Sequence, residues 1–183
     1  VDKLYETDKY LKGLITAYDE LFREYRITGS LLEIGVHKGG FLQWANSTGR
    51  FSKLVGIDID TSNVLDEVKG FALIYEGHQR EDVFVEDIAK ECGGFDVVVD
   101  DGSHEIADVA ASFATLWPHT RRLYIVEDWD LIFEQPEEVG GWFAFMIHLL
   151  DKKKNEADVK ELKIIFSFAD EARRGGYIAV VKQ

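Results

Sequence analysis

"LLEIGVHKGGFLQW", Leu31 to Trp44, changes character halfway. An apolar run ends at Glu33 and Gly35, and Gly39 and Gly40 then open a segment whose apolar residues return at helical spacing. This reads as a strand, a tight glycine turn and the first turn of a helix. The same alternation recurs down the chain. "KLVGIDID", "FALIYEG", "FDVVVDD" and "RLYIVED" are further apolar, β-branched runs. Helical spacing lies around Phe41–Ser47, Ser62–Lys69, Asp82–Cys92 and Glu105–Leu116. The strands are too continuously apolar to keep a solvated face, so the pattern predicts a parallel sheet covered on both sides.

The end of the chain breaks the rhythm. After a predicted helix over Glu137–Lys154, "LKIIFSF" and "GYIAVVK" are separated only by "ADEARRG". That connection is too short for a crossover helix, so the last two strands should form an antiparallel pair. The expected fold is α/β and Rossmann-like: a seven-stranded, mostly parallel sheet with an antiparallel final pair and helices on both faces. No linker, repeat or low-complexity tract divides the chain, which reads as one domain over 1–183. It opens on Val1 rather than methionine, leaving room for an upstream segment.

Composition narrows the function. With 183 residues and 46% hydrophobic content, a core can form without disulfides or structural metals. Cys92 is the sole cysteine, which points to a reducing, cytoplasmic setting. No apolar run approaches a membrane span, and the N-terminus lacks a signal-peptide core, so no membrane partner is expected. A formal charge of −13 opposes a phosphate-backbone partner, so no nucleic acid is expected either.

The glycine turn departs from the dinucleotide fingerprint: it reads G-x-x-x-G-G and carries Glu33 two positions before its first glycine. A turn without a ligand is the plain alternative. Asp58, at the end of the second strand, stands where an acidic side chain accepts both ribose hydroxyls of NAD or S-adenosylmethionine. Glu33 favours the second, since a carboxylate there would repel a pyrophosphate but tolerates a zwitterionic sulfonium ligand.

Strands four and five both end in carboxylates, in "FDVVVDDGSH" and "LYIVEDWD". In a doubly wound sheet ligands bind outside those ends. With strands four and five adjacent, Asp101, Glu127 and Asp128 converge there, and three carboxylates repel unless a cation lies among them. An all-oxygen set suits a hard ion such as Mg²⁺. His104, three residues beyond Asp101, has the chemistry of a general base; a helix-start histidine capped by Ser103 or Glu105 is its simpler alternative.

In order, "LEIGVHKGG", "GIDID", "YEGHQ", "FDVVVDDGSH" and "YIVEDWD" resemble the metal-dependent class I O-methyltransferases of the macrocin and mycinamicin type, which act on macrolide sugars, and their cephalosporin-biosynthesis relatives. The resemblance runs from about Thr7 to Asp128. It implies that Asp101, Glu127 and Asp128 hold Mg²⁺ and that His104 takes the acceptor hydroxyl proton. It further implies that Glu33, Gly35, Asp58, Gln79 and Asp100 surround S-adenosylmethionine. His78 replaces the family's usual aspartate and is placed beside the adenine. Leu14 stands where tyrosine is usual, while Tyr18, Asp19 and Phe22 align.

The resemblance thus implies a Mg²⁺-dependent S-adenosylmethionine O-methyltransferase acting on a hydroxyl of a sugar or glycosylated natural product. A noncatalytic binding module of the same fold is the alternative, and a nicotinamide oxidoreductase is disfavoured by the missing fingerprint. The expected partner is a small-molecule acceptor, with its pocket either open or completed by another subunit in a homo-oligomer. Trp129, Phe133 and Trp142 are candidate pocket aromatics, with positions in the core or at an interface as the equal alternative.

Overall fold

The computed structural model describes residues 5–129, 137–155, 158–170 and 173–183. Seven strands form one sheet: β1 (Gly29–Ile34), β2 (Phe51–Asp58), β3 (Leu73–Glu76), β4 (Phe95–Asp100), β5 (Thr120–Glu127), β6 (Val159–Asp170) and β7 (Arg173–Lys182). Their order is β3-β2-β1-β4-β5-β7-β6. The first five run parallel, and β7 pairs antiparallel with both β5 and β6. This is the architecture the apolar runs predict.

Among the described residues, six α-helices cover the sheet: α1 (Leu14–Glu24), α2 (Gly40–Ser47), α3 (Asp66–Lys69), α4 (Asp82–Cys92), α5 (Ile106–Leu116) and α6 (Val139–Asn155). Helix α1 was not anticipated among the segments above, yet its buried Leu14, Ile15, Tyr18, Leu21 and Phe22 follow the spacing of one helix face. On one side of the sheet, α1, α2 and α3 pack Tyr18, Phe22, Phe41 and Val68 over Leu31, Val97 and Ile125. On the other, α4, α5 and α6 pack Val85, Phe113 and Trp142 over Leu32, Val98 and Tyr124. Both faces of β1, β4 and β5 are therefore dry, which is why their sequences do not alternate.

The strand order reverses between β1 and β4, and this switch point opens a crevice at their carboxyl ends. Gly35 turns the chain there with φ of +83°, and a Cβ at that position would overlap the Asp101 carbonyl. Only glycine allows the two strand ends to approach so closely. Phe133 and Asp130 lie outside the described residues.

Candidate functional site

The crevice is a cavity of about 810 Å³. Its walls include Glu33, Gly35, Asp58, His78, Gln79, Asp101, His104 and Asp128. Topology alone gathers them, since they follow five different strands or loops. Asp58 is organised by backbone donors: His37 N–H reaches one carboxylate oxygen at 2.7 Å and Asp60 N–H the other at 3.0 Å. Gln79 spans the cavity floor, donating to Asp100 at 3.1 Å and accepting from Ser103 N–H at 2.9 Å. His78 accepts from Arg80 N–H through Nδ1, and its Nε2 lies 3.7 Å from Asp108.

Asp100 does not line this cavity. It lies beneath it, accepting from Ser112, Tyr124 and Gln79, because the strand pleat turns it into the layer under α5. Burial pushes its carboxyl up to about 6 against those three hydrogen bonds. Asp100 therefore holds Gln79 from below. Trp142 is also removed from the cavity, buried in the core with Phe145. His148 lines a separate apolar groove of about 410 Å³ between α5 and α6.

The acidic end of the cavity contains a feature that sequence reasoning missed. Lys9, in a 3-10 turn over Asp8–Tyr10, is 2% exposed and directs its ammonium into the carboxylates. It pairs with Asp101 Oδ2, lies 2.9 Å from Glu127 Oε1 and 3.8 Å from Glu33 Oε1. Lys12 bridges Asp128 at 2.8 Å and Asp8 at 2.9 Å. The segment carrying both lysines crosses the start of α2, where the Glu6 carbonyl occupies the space a Cβ on Gly40 would need.

This arrangement divides the predicted metal set. Asp101, His104 and Asp128 can each offer a ligand atom, all within 4.8 Å of one another; Glu127 lies outside that group and shares Lys9 with Asp101. His104 Nε2 lies 4.0 Å from Asp101 Oδ1 and 3.9 Å from Asp128 Oδ2. Both His104 and Asp128 adopt positive φ, 60° and 51°, a costly conformation for residues with side chains. His104 stands directly before Glu105, the first residue flanking α5, whose N–H donates to Ser103 Oγ at 3.3 Å.

The electrostatics follow from burial. Desolvation alone would lower the Lys9 pKa, but Asp101, Glu127 and Glu33 outweigh it and hold the ammonium charged. Burial raises Glu33 well above its ordinary range, with Lys9 opposing. Burial and then Asp101 push Glu127 up to about 8. Five carboxylates, Glu33, Asp101, Glu127, Asp128 and the more exposed Asp8, face two lysines, so a fully ionised cluster is in negative excess. A divalent cation offsets that excess, and Glu33 Oε2 remains without a hydrogen-bond partner. The donor set and charge fit Mg²⁺, and the cavity with its unsatisfied Glu33 oxygen fits an amino-acid-bearing nucleoside.

A pH prediction follows. Because the folded-state pKa of Glu127 lies above its unfolded value, the stability belonging to its neutral form is full below about 4.5 and is lost as pH rises through about 8. In chelator, Glu127→Gln should gain stability relative to wild type across that window. Urea denaturation of both proteins at the two ends measures it; a constant difference would refute the raised pKa.

Comparison with known proteins agrees with this geometry. The chain is 39% identical over 131 residues to mycinamicin VI 2''-O-methyltransferase of Micromonospora griseorubida, covering 65% of this chain and 32% of that protein. It is 35% identical over 123 residues to demethylmacrocin O-methyltransferase of Streptomyces fradiae, covering 61% and 30%. The solved MycE methyltransferase from the mycinamycin biosynthetic pathway, in complex with Mg, SAH and mycinamycin VI, superposes with a TM-score of 0.71. That match is 28% identical and covers 91% of this chain and 48% of that one. The chain thus spans about a third of the length of the two curated relatives and about half of the MycE chain. The sequence profile of the FtsJ-like methyltransferases matches residues 3–163. Since that match runs from before α1 into β6 and takes in every wall of the cavity, the chain belongs to the FtsJ-like methyltransferase family.

Proposed function

We propose that the chain is the catalytic domain, over 1–183, of a Mg²⁺-dependent S-adenosylmethionine O-methyltransferase. Its acceptor is a hydroxyl of a sugar or glycosylated natural product. The observation that carries this reading is the meeting, in one cavity, of Glu33 and Asp58 with Asp101, His104 and Asp128. The mycinamicin and demethylmacrocin enzymes support the acceptor class.

Glu33, Gly35, Asp58, His78 and Gln79 would surround the methyl donor, with Asp100 acting through Gln79. Asp58 accepts the ribose hydroxyls, and His78 stands at the adenine end. Asp101 and Asp128 would hold the metal, with Glu127 one layer behind and fixed by Lys9. When bound, the metal lowers the pKa of an acceptor hydroxyl. His104 Nε2 faces the gap between the two aspartates and removes that proton. The narrow crevice aligns the acceptor oxygen with the donor for in-line displacement. The acceptor itself is a small molecule. No helix among the described residues is long and apolar enough to cross a membrane. A cytoplasmic setting accords with Cys92 as the sole, buried thiol.

Methyl transfer from isotopically labelled donor to a panel of glycosylated macrolides tests the reading. Transfer should require Mg²⁺ and stop in chelator. Donor binding without transfer to any acceptor would favour the noncatalytic module, whose sequence signal is His78. Undiminished transfer in chelator would reject the metal.

Asp58 provides a separate check on the donor end. Asp58→Ala should weaken S-adenosylhomocysteine by about 1.5–3 kcal/mol, the range for hydrogen bonds to a charged group. Calorimetry showing equal affinity would remove Asp58 from the site.

A further inference from the structure

We infer that Lys12 is a displaceable ammonium that competes with the divalent cation for Asp128, while Lys9 stays in the site as a fixed counter-charge. The inference rests on the metal reading above and gives its two lysines different parts. The atoms that each one holds make the distinction. Lys9 pairs with Asp101 through Oδ2, whereas the oxygen of Asp101 that lies 4.0 Å from His104 Nε2 is Oδ1. Asp101 thus keeps an oxygen turned toward His104, and a metal there leaves Lys9 in place. Lys12 is different. It holds Asp128 by Oδ2 at 2.8 Å, and Oδ2 is also the oxygen 3.9 Å from His104 Nε2. The ammonium and a cation bound beside His104 therefore claim the same atom.

The surroundings of the two lysines differ in the same sense. The Lys9 side chain is 3% exposed and enclosed by Glu33, Asp101 and Glu127, so its departure would strand buried carboxylates. The Lys12 side chain is 20% exposed and has a second anchor in the Asp8 carboxylate at 2.9 Å, which is itself 61% exposed. Moving from Asp128 to Asp8 alone keeps Lys12 paired and carries its charge toward solvent. The exchange needs only side chains to move, because the Asp128 N–H donates to the Gly176 carbonyl at 2.8 Å and fixes the backbone that presents the carboxylate. Mg²⁺ takes its oxygens at about 2 Å in a near-octahedral shell. An ammonium on one of those oxygens is a like charge a few ångströms away, so each disfavours the other. The antagonism is reciprocal: weakening Lys12 strengthens the metal, and the metal releases Lys12. Lys12 thereby sets the metal affinity of the site and keeps Asp128 aligned when no cation holds it.

Lysine footprinting of the whole chain with acetic anhydride, read by tandem mass spectrometry in chelator and in saturating Mg²⁺, tests the exchange. Lys12 should gain reactivity by up to about fivefold with Mg²⁺, the range for release from one partly exposed ion pair. Lys9, and Lys38 in its outer pair with Glu6, should not change. A lysine with a merely structural role would show no such difference. Calorimetry supplies a second readout. Lys12→Met should bind Mg²⁺ about tenfold more tightly than wild type, since a like charge beside the ion is gone, and Lys12→Arg should stay close to wild type. Unchanged Lys12 reactivity at a Mg²⁺ concentration that calorimetry shows to be saturating overturns the inference, as does a gain at Lys9 in its place. A Lys12→Met protein that binds Mg²⁺ no better than wild type overturns it too, making Lys12 a support for Asp128 and not a competitor. Absence of Mg²⁺ binding by both proteins rejects the metal reading itself, and the inference falls with it.

Discussion

Lys9→Met should destabilise the chain in chelator by about 3–5 kcal/mol, the cost of removing one partner from a buried ion cluster. The substitution keeps most of the side-chain volume while deleting the charge, including the ammonium that stands 5.3 Å from the Phe41 ring centroid. Glu33, Asp101 and Glu127 would then share a buried space without the ammonium that reaches all three. Their remedy is to bind protons, so the loss should be smaller at acidic pH than at alkaline pH. Mg²⁺ should restore part of the stability, because a divalent ion supplies the positive charge that the variant lacks. Urea denaturation of wild type and variant, with and without Mg²⁺, gives both numbers. A loss below about 1 kcal/mol at neutral pH would mean that the carboxylates are already neutral and that Lys9 does not hold the cluster.

His104→Ala should lower turnover by about 10² to 10⁴ while leaving S-adenosylhomocysteine affinity intact. The reason is positional. His104 follows β4 and stands 4.0 and 3.9 Å from Asp101 and Asp128, whereas Asp58 ends β2 on the far side of β1, so loss of His104 leaves the donor's ribose end in place. Its left-handed backbone aims the imidazole inward, and alanine removes the ring without demanding a new conformation from its neighbours. Mg²⁺ affinity, measured by calorimetry, separates two roles. A base leaves it nearly unchanged, whereas a ligand lowers it in parallel with the rate. Normal turnover would require another proton acceptor; His148 lines the separate groove between α5 and α6, outside this cavity.

The amino-acid sequence was sufficient for the sheet because buried strands announce themselves locally. "FDVVVDD" and "RLYIVED" cannot be solvated on either face, and a parallel sheet follows from strands of that kind separated by helices. The final hairpin was equally legible from the length of its connection. Glu33, Asp58, Asp101 and Asp128 could be nominated because each ends an apolar strand in a carboxylate, and strand ends in this topology meet at one edge. Helix α1 had a readable signal in the spacing of Leu14, Tyr18, Leu21 and Phe22, though no strand-helix alternation brackets it.

What only the tertiary structure decided is how those carboxylates are divided. Nothing local distinguishes Lys9 from Lys3 or Lys12, and nothing in "YIVEDWD" says that Glu127 faces Lys9 while Asp128 faces Lys12 and His104. Asp100 and Asp101 are neighbours in sequence with opposite fates: one lies beneath the cavity under Ser112 and Tyr124, the other at its mouth with Lys9 and His104. Local pattern specifies which segments must be buried, because the hydrophobic effect depends on composition and period. Pairing of charges across more than ninety residues depends on where the fold returns the chain, and that is set by the packing of the whole sheet.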